Sequence, residues 1–350
     1  MINNKLLKII AFASSIIVIL IFILLLKTLK AVFIPLAFSI FISFLYAPLN
    51  RFLIKIRFHV TLRIFILLLI LFAVTYFLVA LGYAGMTRFI NEFPSYLPSL
   101  EDLIVNIGEI FRIPEETAED FVGNQLNLFN ILNFISINRV MGFIANNIFI
   151  IFTHYVLIIF FSVFFLTDDK NFILKIIQFF FKDHDKAETV LQKIERQLNL
   201  YIINKTFINL IASILSAGAV AIIGVDFPIL SGFLIFSFGY IPEIGSVIAA
   251  LFPILFCFLK FGISWQLFMT ILSLFIINSG MGNYLEPKLM GRQFNMSPIL
   301  IIIVLILWGW IWGPIGMLLA VPITVILNII YVELDKLRQI SNIIRDSIRS

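Results

Sequence analysis

The sequence predicts an all-α polytopic membrane protein with about six to eight transmembrane helices. Of its 350 residues, 61% are hydrophobic and 13% are charged, whereas soluble domains contain about 45–50% apolar and about 25% charged residues. The hydrophobic residues form long unbroken runs, which favour helices over the ten-residue alternating segments of transmembrane strands. This composition excludes a soluble enzyme, a nucleic-acid-binding domain and a disordered scaffold.

Eight apolar runs mark the predicted membrane segments. The first run follows a basic start and is expected to remain as a helix, because it is longer than the apolar region of a signal peptide. Two hydrophilic stretches separate some of the runs. The runs cover residues 9–26, 31–49, 61–83, 146–166, 205–224, 228–259, 264–283 and 298–331.

The distribution of charge predicts the orientation. Lys and Arg are concentrated in the short connection 51–63, in the stretch 167–204 and in the tail 332–350. The stretch 87–145 instead carries eight Asp and Glu residues against three Arg. Because Lys and Arg favour cytoplasmic loops, both termini are predicted to be cytoplasmic.

The chain is therefore expected to divide into six functional segments, and the two hydrophilic stretches are expected to form amphipathic or soluble helices. The predicted segments are N-terminal transmembrane helices 1–86, an extracytoplasmic amphipathic segment 87–145, a transmembrane helix 146–166, a cytoplasmic helical segment 167–204, a transport unit 205–331 and a cytoplasmic tail 332–350.

Two of the last apolar runs are interrupted at corresponding places. Gly239–Gly245 breaks run 228–259, and Trp308–Gly316 breaks run 298–331. Each broken run follows an ordinary span, so the chain predicts two related broken helix pairs and an inverted repeat. Since Gly and Pro disturb helical hydrogen bonding, and unpaired backbone groups are costly in hydrocarbon, the paired breaks indicate a binding site.

Two topologies remain open for the broken runs. Kinked full spans would give eight crossings, whereas re-entrant hairpins would give six. The alternatives differ in the side of the membrane that holds Lys288 and Arg292. The positive-inside rule favours hairpins, although that topology places Lys260 outside.

Polar residues near the breaks are the candidate site, because a charge within a membrane is costly and marks function by default. At the first break, Glu243 either supports a transported cation or caps the following half-helix. Glu286 with its basic neighbours forms either a gating salt bridge or a surface loop. Asn278 and Asn283 either coordinate substrate or bond between helices. The predicted substrate or ion pathway comprises Pro242, Glu243, Gly245, Asn278, Asn283, Glu286, Lys288, Arg292, Gly313, Pro314 and Gly316.

Other chemistry lacks a sequence signature. The chain has no Gly-x-x-x-x-Gly-Lys-[Ser/Thr] phosphate loop and no nucleophile–base arrangement, so an ion gradient is the expected energy source and no catalysis is expected. The single cysteine, Cys257, cannot form an internal disulfide or a zinc site. We therefore expect no cofactor and no metal.

Several motifs resemble those of the autoinducer-2 exporter (AI-2E) family of bacterial permeases. They are Pro242–Gly245, Asn283–Arg292, Ser297–Pro298, Gly309–Pro322 and the Phe164–Asp169 stretch after the fourth run. The resemblance implies an oligomeric secondary transporter of the bacterial inner membrane. It leaves the substrate open, since members are associated with signal-molecule export and with sodium/proton exchange.

The predicted function is secondary transport of a small molecule or ion by alternating access. The expected partners are the lipid bilayer, the substrate and further copies of the chain, with no nucleic acid. The alternative is a non-transporting membrane scaffold or assembly factor that works through 87–145 and 167–204.

Overall fold

The computed structural model describes residues 4–100, 102–103, 137–167, 171–181, 183–290 and 298–349. Throughout these ranges the regular secondary structure is helical, without strands. The all-α class is therefore confirmed. Most of the predicted outer segment and Arg292 lie outside the described residues.

Twelve α-helices are used below. Helices α1 to α6 span Asn4–Thr28, Lys30–Lys55, Val60–Glu92, Ile137–Thr167, Asn171–Phe180 and His184–Ile223. Helices α7 to α12 span Pro228–Phe238, Ile244–Phe261, Trp265–Ser279, Glu286–Met290, Pro298–Trp312 and Pro314–Arg349. A 3-10 turn, Phe93–Tyr96, follows α3, and a π-helical segment, Gly280–Leu285, joins α9 to α10.

Seven helices in the described part are long and apolar enough to cross a membrane. They contain α2, α3, α4, α6, α8, α9 and α12. Helices α7 and α11 are apolar but shorter; at about 1.5 Å per residue, neither reaches across about 30 Å of hydrocarbon. The protein is thus a multi-pass membrane protein.

The chain forms two compact units. The first comprises residues 1–68, 151–201 and 293–350, and the second comprises 69–150 and 202–292. The predicted transport unit 205–331 is shared between them, and its role as one functional unit stays a prediction.

In the second unit, the first broken run is a helical hairpin. Phe227 precedes α7 and Phe256 lies near the end of α8, yet their ring centroids are 5.2 Å apart. The carbonyl of Phe238 packs so closely on Gly245 that a Cβ there would lie 1.8 Å from its oxygen. In a continuous helix, seven residues would separate these positions by about 10 Å. The chain therefore reverses direction at the first break.

In the first unit, the second broken run reverses in the same way. Gly313 has a φ of +68° between α11 and α12, a conformation that favours glycine. A Cβ at Gly316 would lie 2.0 Å from the carbonyl oxygen of Trp308, although eight residues of straight helix would rise about 12 Å. Both breaks are chain reversals, as the hairpin alternative predicts. The membrane side to which each opens stays a prediction.

These two contacts make a testable prediction about stability. Gly245→Ala and Gly316→Ala should each lower the free energy of unfolding by about 1–3 kcal/mol or more, because a methyl group would overlap a backbone carbonyl. The matched control is Gly218→Ala in α6, where a Cβ meets nothing within 4 Å. Thermal unfolding in detergent micelles measures the difference. Equal melting temperatures for all three variants would contradict the hairpin packing.

Candidate functional site

One buried face of α6 carries the polar side chains around which the second unit is arranged. Lys205, Asn209, Ser213 and Ser216 are all buried. Their spacing of four, four and three residues places them on one side of the helix. This stripe lies in the second half of α6, a helix that contains a stretch long and apolar enough to span a membrane.

The charged member of the α6 stripe forms an ion pair with α10. The Lys205 Nζ donates to both carboxylate oxygens of Glu286 at 2.8 Å. The Lys205 side chain is 7% exposed and that of Glu286 is 28% exposed. Two charge-assisted bonds in a largely desolvated place hold α10 firmly against α6.

The sequence predicted either a salt bridge between Glu286 and its basic neighbours or a surface loop, and the observed partner, Lys205, is neither of those neighbours. Lys288 is exposed, and its ammonium lies 5.5 Å from the ring centroid of Tyr284. Arg292 lies outside the described residues. Lys205 was missed, because a lysine at the start of an apolar run commonly reaches the membrane interface and gives no distinct functional signal in the sequence.

The tip of the first hairpin also rests on α6. The hydroxyls of Thr206 and Tyr240 are 2.8 Å apart and share a hydrogen bond. Beside them, a Cβ at Gly239 would lie 2.7 Å from the Asn209 Oδ1. Glycine is thus required at this position, because any side chain would displace the Asn209 amide.

Glu243 occupies the turn of the first hairpin in a strained conformation. Its φ is +61° and it is the N-cap residue of α8, yet its side chain makes no capping hydrogen bond. The capping alternative is therefore not supported. Glu243 is exposed, Pro242 is half-buried and Gly245 is buried. Strained non-glycine residues of this kind concentrate at functional sites.

A π-helical segment lies directly before Glu286 and contains one of the predicted asparagines, Asn283. Gly280–Leu285 is π-helical, a rare geometry that recurs at functional sites. Asn283 within it is exposed and Asn278 before it is half-buried. Beyond it, the Asn204 Nδ2 donates to the Leu289 carbonyl oxygen at 3.2 Å. Helix α6 therefore contacts both the hairpin tip and the segment that follows α9.

Gly313, Pro314 and Gly316, the remaining predicted residues, lie in the first unit. Gly313 is half-buried, Pro314 is exposed and Gly316 is buried. The neighbouring Trp312 donates its Nε1 hydrogen to the Leu26 carbonyl oxygen at 3.0 Å. The second hairpin tip is thereby tied to the end of α1.

The base of the first hairpin is closed by a separate polar cluster. The Lys260 Nζ donates to the Asp226 Oδ1 at 2.8 Å, and the Tyr96 hydroxyl donates to the other oxygen of this carboxylate. Burial raises the pKa of Asp226, but the hydrogen bonds from Lys260 and Tyr96 and the attraction to Lys260 outweigh it and hold that pKa below its ordinary value.

Several apolar spans, two helical hairpins and a buried polar stripe are together typical of a polytopic membrane transport protein. Within the described residues, no three His, Cys, Asp or Glu side chains are grouped so that they could hold a metal ion.

The chain belongs to the AI-2E family of transporters, whose family model matches residues 15–336. A relative from Borreliella burgdorferi, named "Putative transport protein", is 29% identical over 330 residues, which cover 93% of this chain and 88% of the relative. The AI-2 transport protein TqsA of Escherichia coli is 40% identical over 129 residues, 37% of each chain. A "Putative transport protein" of Haemophilus influenzae is 26% identical over 310 residues, 87% of each chain. All three relatives are named as transport proteins.

The ion pair on α6 predicts a coupling energy. Glu286→Met should lower the free energy of unfolding by about 1–3 kcal/mol, because it leaves the buried Lys205 ammonium uncompensated; the partial exposure of Glu286 keeps the loss below that of a fully buried pair. Adding Lys205→Met to this variant should recover most of the lost free energy of unfolding. A double-mutant cycle on thermal unfolding measures the coupling, with Lys288→Met as the exposed control. Additive single effects would contradict a stabilising pair.

The Asp226 cluster predicts a pH dependence. Because the folded-state pKa of Asp226 is lowered, its stabilisation is complete above the unfolded pKa of about 3.9 and is lost as the pH falls through the folded pKa. Asp226→Asn should therefore lower the melting temperature at pH 7 and flatten its decrease below about pH 4. Glu92→Gln, at an exposed pair with Arg88, is the control and should retain the wild-type slope. A wild-type slope in Asp226→Asn would refute the assignment.

Proposed function

We propose that the protein is a secondary transporter that moves a small molecule or ion across the bacterial inner membrane by alternating access. The observation that carries the proposal is the ion pair between buried Lys205 and partly exposed Glu286. Lys205 is next to Thr206, which contacts the tip of the first hairpin, and Glu286 directly follows the π-helical segment. Membership of a transporter family supports it. Burying Lys205 at the start of an apolar run is costly even when it is paired, which favours a functional role over a purely structural one.

The geometry supports a binding site on this part of the second unit. Glu243 supplies an exposed carboxylate at the hairpin turn, and Asn283 supplies an amide on the π-helical segment. A polar solute bound by these groups would exchange its hydration for protein oxygens and N–H groups. Separation of Lys205 from Glu286 would free two charged groups and let the segment after α9 move away from α6.

The hairpins support alternating access from opposite sides. Asp226 and Lys260 join the two ends of the first hairpin. The tip of this hairpin contacts Thr206 of α6, and Thr206 lies about 27 Å along the helix from Gly224. We infer that the first hairpin enters from the extracytoplasmic side. The second hairpin follows the basic residues after α9, and the positive-inside rule favours the cytoplasm for those residues. We therefore infer that the second hairpin enters from the cytoplasmic side. This is the arrangement expected of an inverted repeat.

The remaining parts of the proposal concern setting and cargo. Both termini are cytoplasmic, the driving force is an ion gradient and the protein works as a homo-oligomer. AI-2 is one candidate cargo, because one relative is named as an AI-2 transport protein.

Transport by purified protein in proteoliposomes tests the proposal. The combined variant Glu243→Gln/Asn283→Ala should reduce ion-driven uptake at least about tenfold, because it removes a charge and an amide worth about 1.4 kcal/mol or more in binding. Arg196→Gln, at an exposed position of α6, is the control and should retain the wild-type rate. Wild-type uptake by the combined variant would refute the proposed site. Absence of flux for every candidate cargo would favour the scaffold alternative.

A further inference from the structure

The turn between α2 and α3 is strongly basic and takes no part in the proposed transport site. Residues 51–63, called the basic turn below, contain Arg51, Lys55, Arg57 and Arg63, and the chain has no Asp or Glu before Glu92. The positive-inside rule accounts for the number of these charges. It does not account for how two of them are arranged.

A cavity of about 310 Å³ lies beside the basic turn in the first unit. Its polar lining comes from Ser43, Asn50 and Arg51 of α2, while Phe165 and Leu166 of α4 form part of its apolar wall. This volume is at the lower end of the range for small-molecule sites. The combination of one apolar wall and a few polar groups suits a ligand with a charged head and a carbon body.

Arg63 contacts the cavity lining through Asn50 and carries a donor that has no partner. Its Nη1 donates to the Asn50 Oδ1 at 3.0 Å. Its Nε is buried and has no hydrogen-bond partner among the described residues. A buried N–H of a charged guanidinium without an acceptor is costly and unusual. The natural acceptor is an anion, since the guanidinium fork matches phosphate oxygens.

Arg51 supplies a second donor at the cavity wall. Its Nη1 lies 3.7 Å from the Glu195 Oε2, which is beyond hydrogen-bond distance. The Arg51 side chain is 63% exposed, so its donors can turn to a ligand. The buried Glu195 carboxylate opposes an anion, whereas the Arg51 and Arg63 guanidiniums attract one.

We propose that Asn50, Arg51 and Arg63 bind a phosphate-bearing ligand, whose carbon body packs against Phe165 and Leu166. Two sources share this chemistry: an anionic phospholipid headgroup and a soluble phosphorylated metabolite. The site lies in the first unit and stands independently of the transport proposal.

Binding to the full-length protein in neutral phosphatidylcholine nanodiscs tests the site. One arm titrates glycerol 3-phosphate and compares it with glycerol. The other arm replaces a fraction of the lipid with phosphatidylglycerol and measures its enrichment around the purified protein by mass spectrometry. Binding in the first arm identifies a soluble ligand, and enrichment in the second identifies a lipid.

Variants separate the site from general surface charge. Arg51→Gln and Arg63→Gln should each weaken the binding that is detected at least about tenfold, because each removes a charge-assisted hydrogen bond. Lys55→Gln removes the same charge from the same turn without lining the cavity, and should change binding less than about twofold. Arg63→Lys keeps the positive charge but loses the forked guanidinium, so it should also weaken binding. This variant keeps the test valid if Arg63→Gln does not fold.

Two outcomes would overturn the proposal. The first is that neither probe binds the wild-type protein above the neutral control. The second is that Lys55→Gln weakens binding as much as Arg51→Gln and Arg63→Gln do, which would show only non-specific attraction to a basic surface.

Discussion

In hydrocarbon, a backbone that leaves its helix must find new hydrogen-bond partners inside the protein, and this requirement governs the fold. The two broken runs share one packing feature. In each, a glycine soon after the turn lets the chain pack directly on a carbonyl of the preceding helix: Gly245 on Phe238 and Gly316 on Trp308. Side chains complete each tip, with Tyr240 bonded to Thr206 and Trp312 bonded to the Leu26 carbonyl.

Helix α6 is the element on which the candidate site is assembled. It is apolar enough to span a membrane, yet one of its faces binds the hairpin tip through Thr206 and the segment after α9 through Lys205. A movement of either partner must therefore break or exchange a polar contact with α6. Such exchange of discrete contacts is how packed helices switch between states.

The sequence predicted much of the fold because its signals are local. Apolar runs gave the helices, and the Gly and Pro clusters gave both breaks and their similarity. Long-range pairs were beyond such reasoning: Glu286 bonds Lys205, 81 residues away, and Tyr96 bonds Asp226, 130 residues away. Glu243 was singled out as an intramembrane charge, but its positive φ and uncapped side chain depend on how the hairpin closes. Neighbouring charges in sequence, such as Glu286 and Lys288, proved a poor guide to pairing because α10 directs them to different surroundings.

The most direct test of the account is the side of the membrane from which each end of the first hairpin is reached. In a Cys257→Ser background, single cysteines would replace Ile222, Ile263 and Tyr284, which are 89%, 94% and 68% exposed. An impermeant maleimide applied to right-side-out vesicles should label both position 222, which precedes the hairpin, and position 263, which follows it. Position 284 should be labelled only after permeabilisation. Labelling of positions 222 and 263 from opposite sides, or of 284 from outside alone, would contradict a re-entrant hairpin that places its tip against α6.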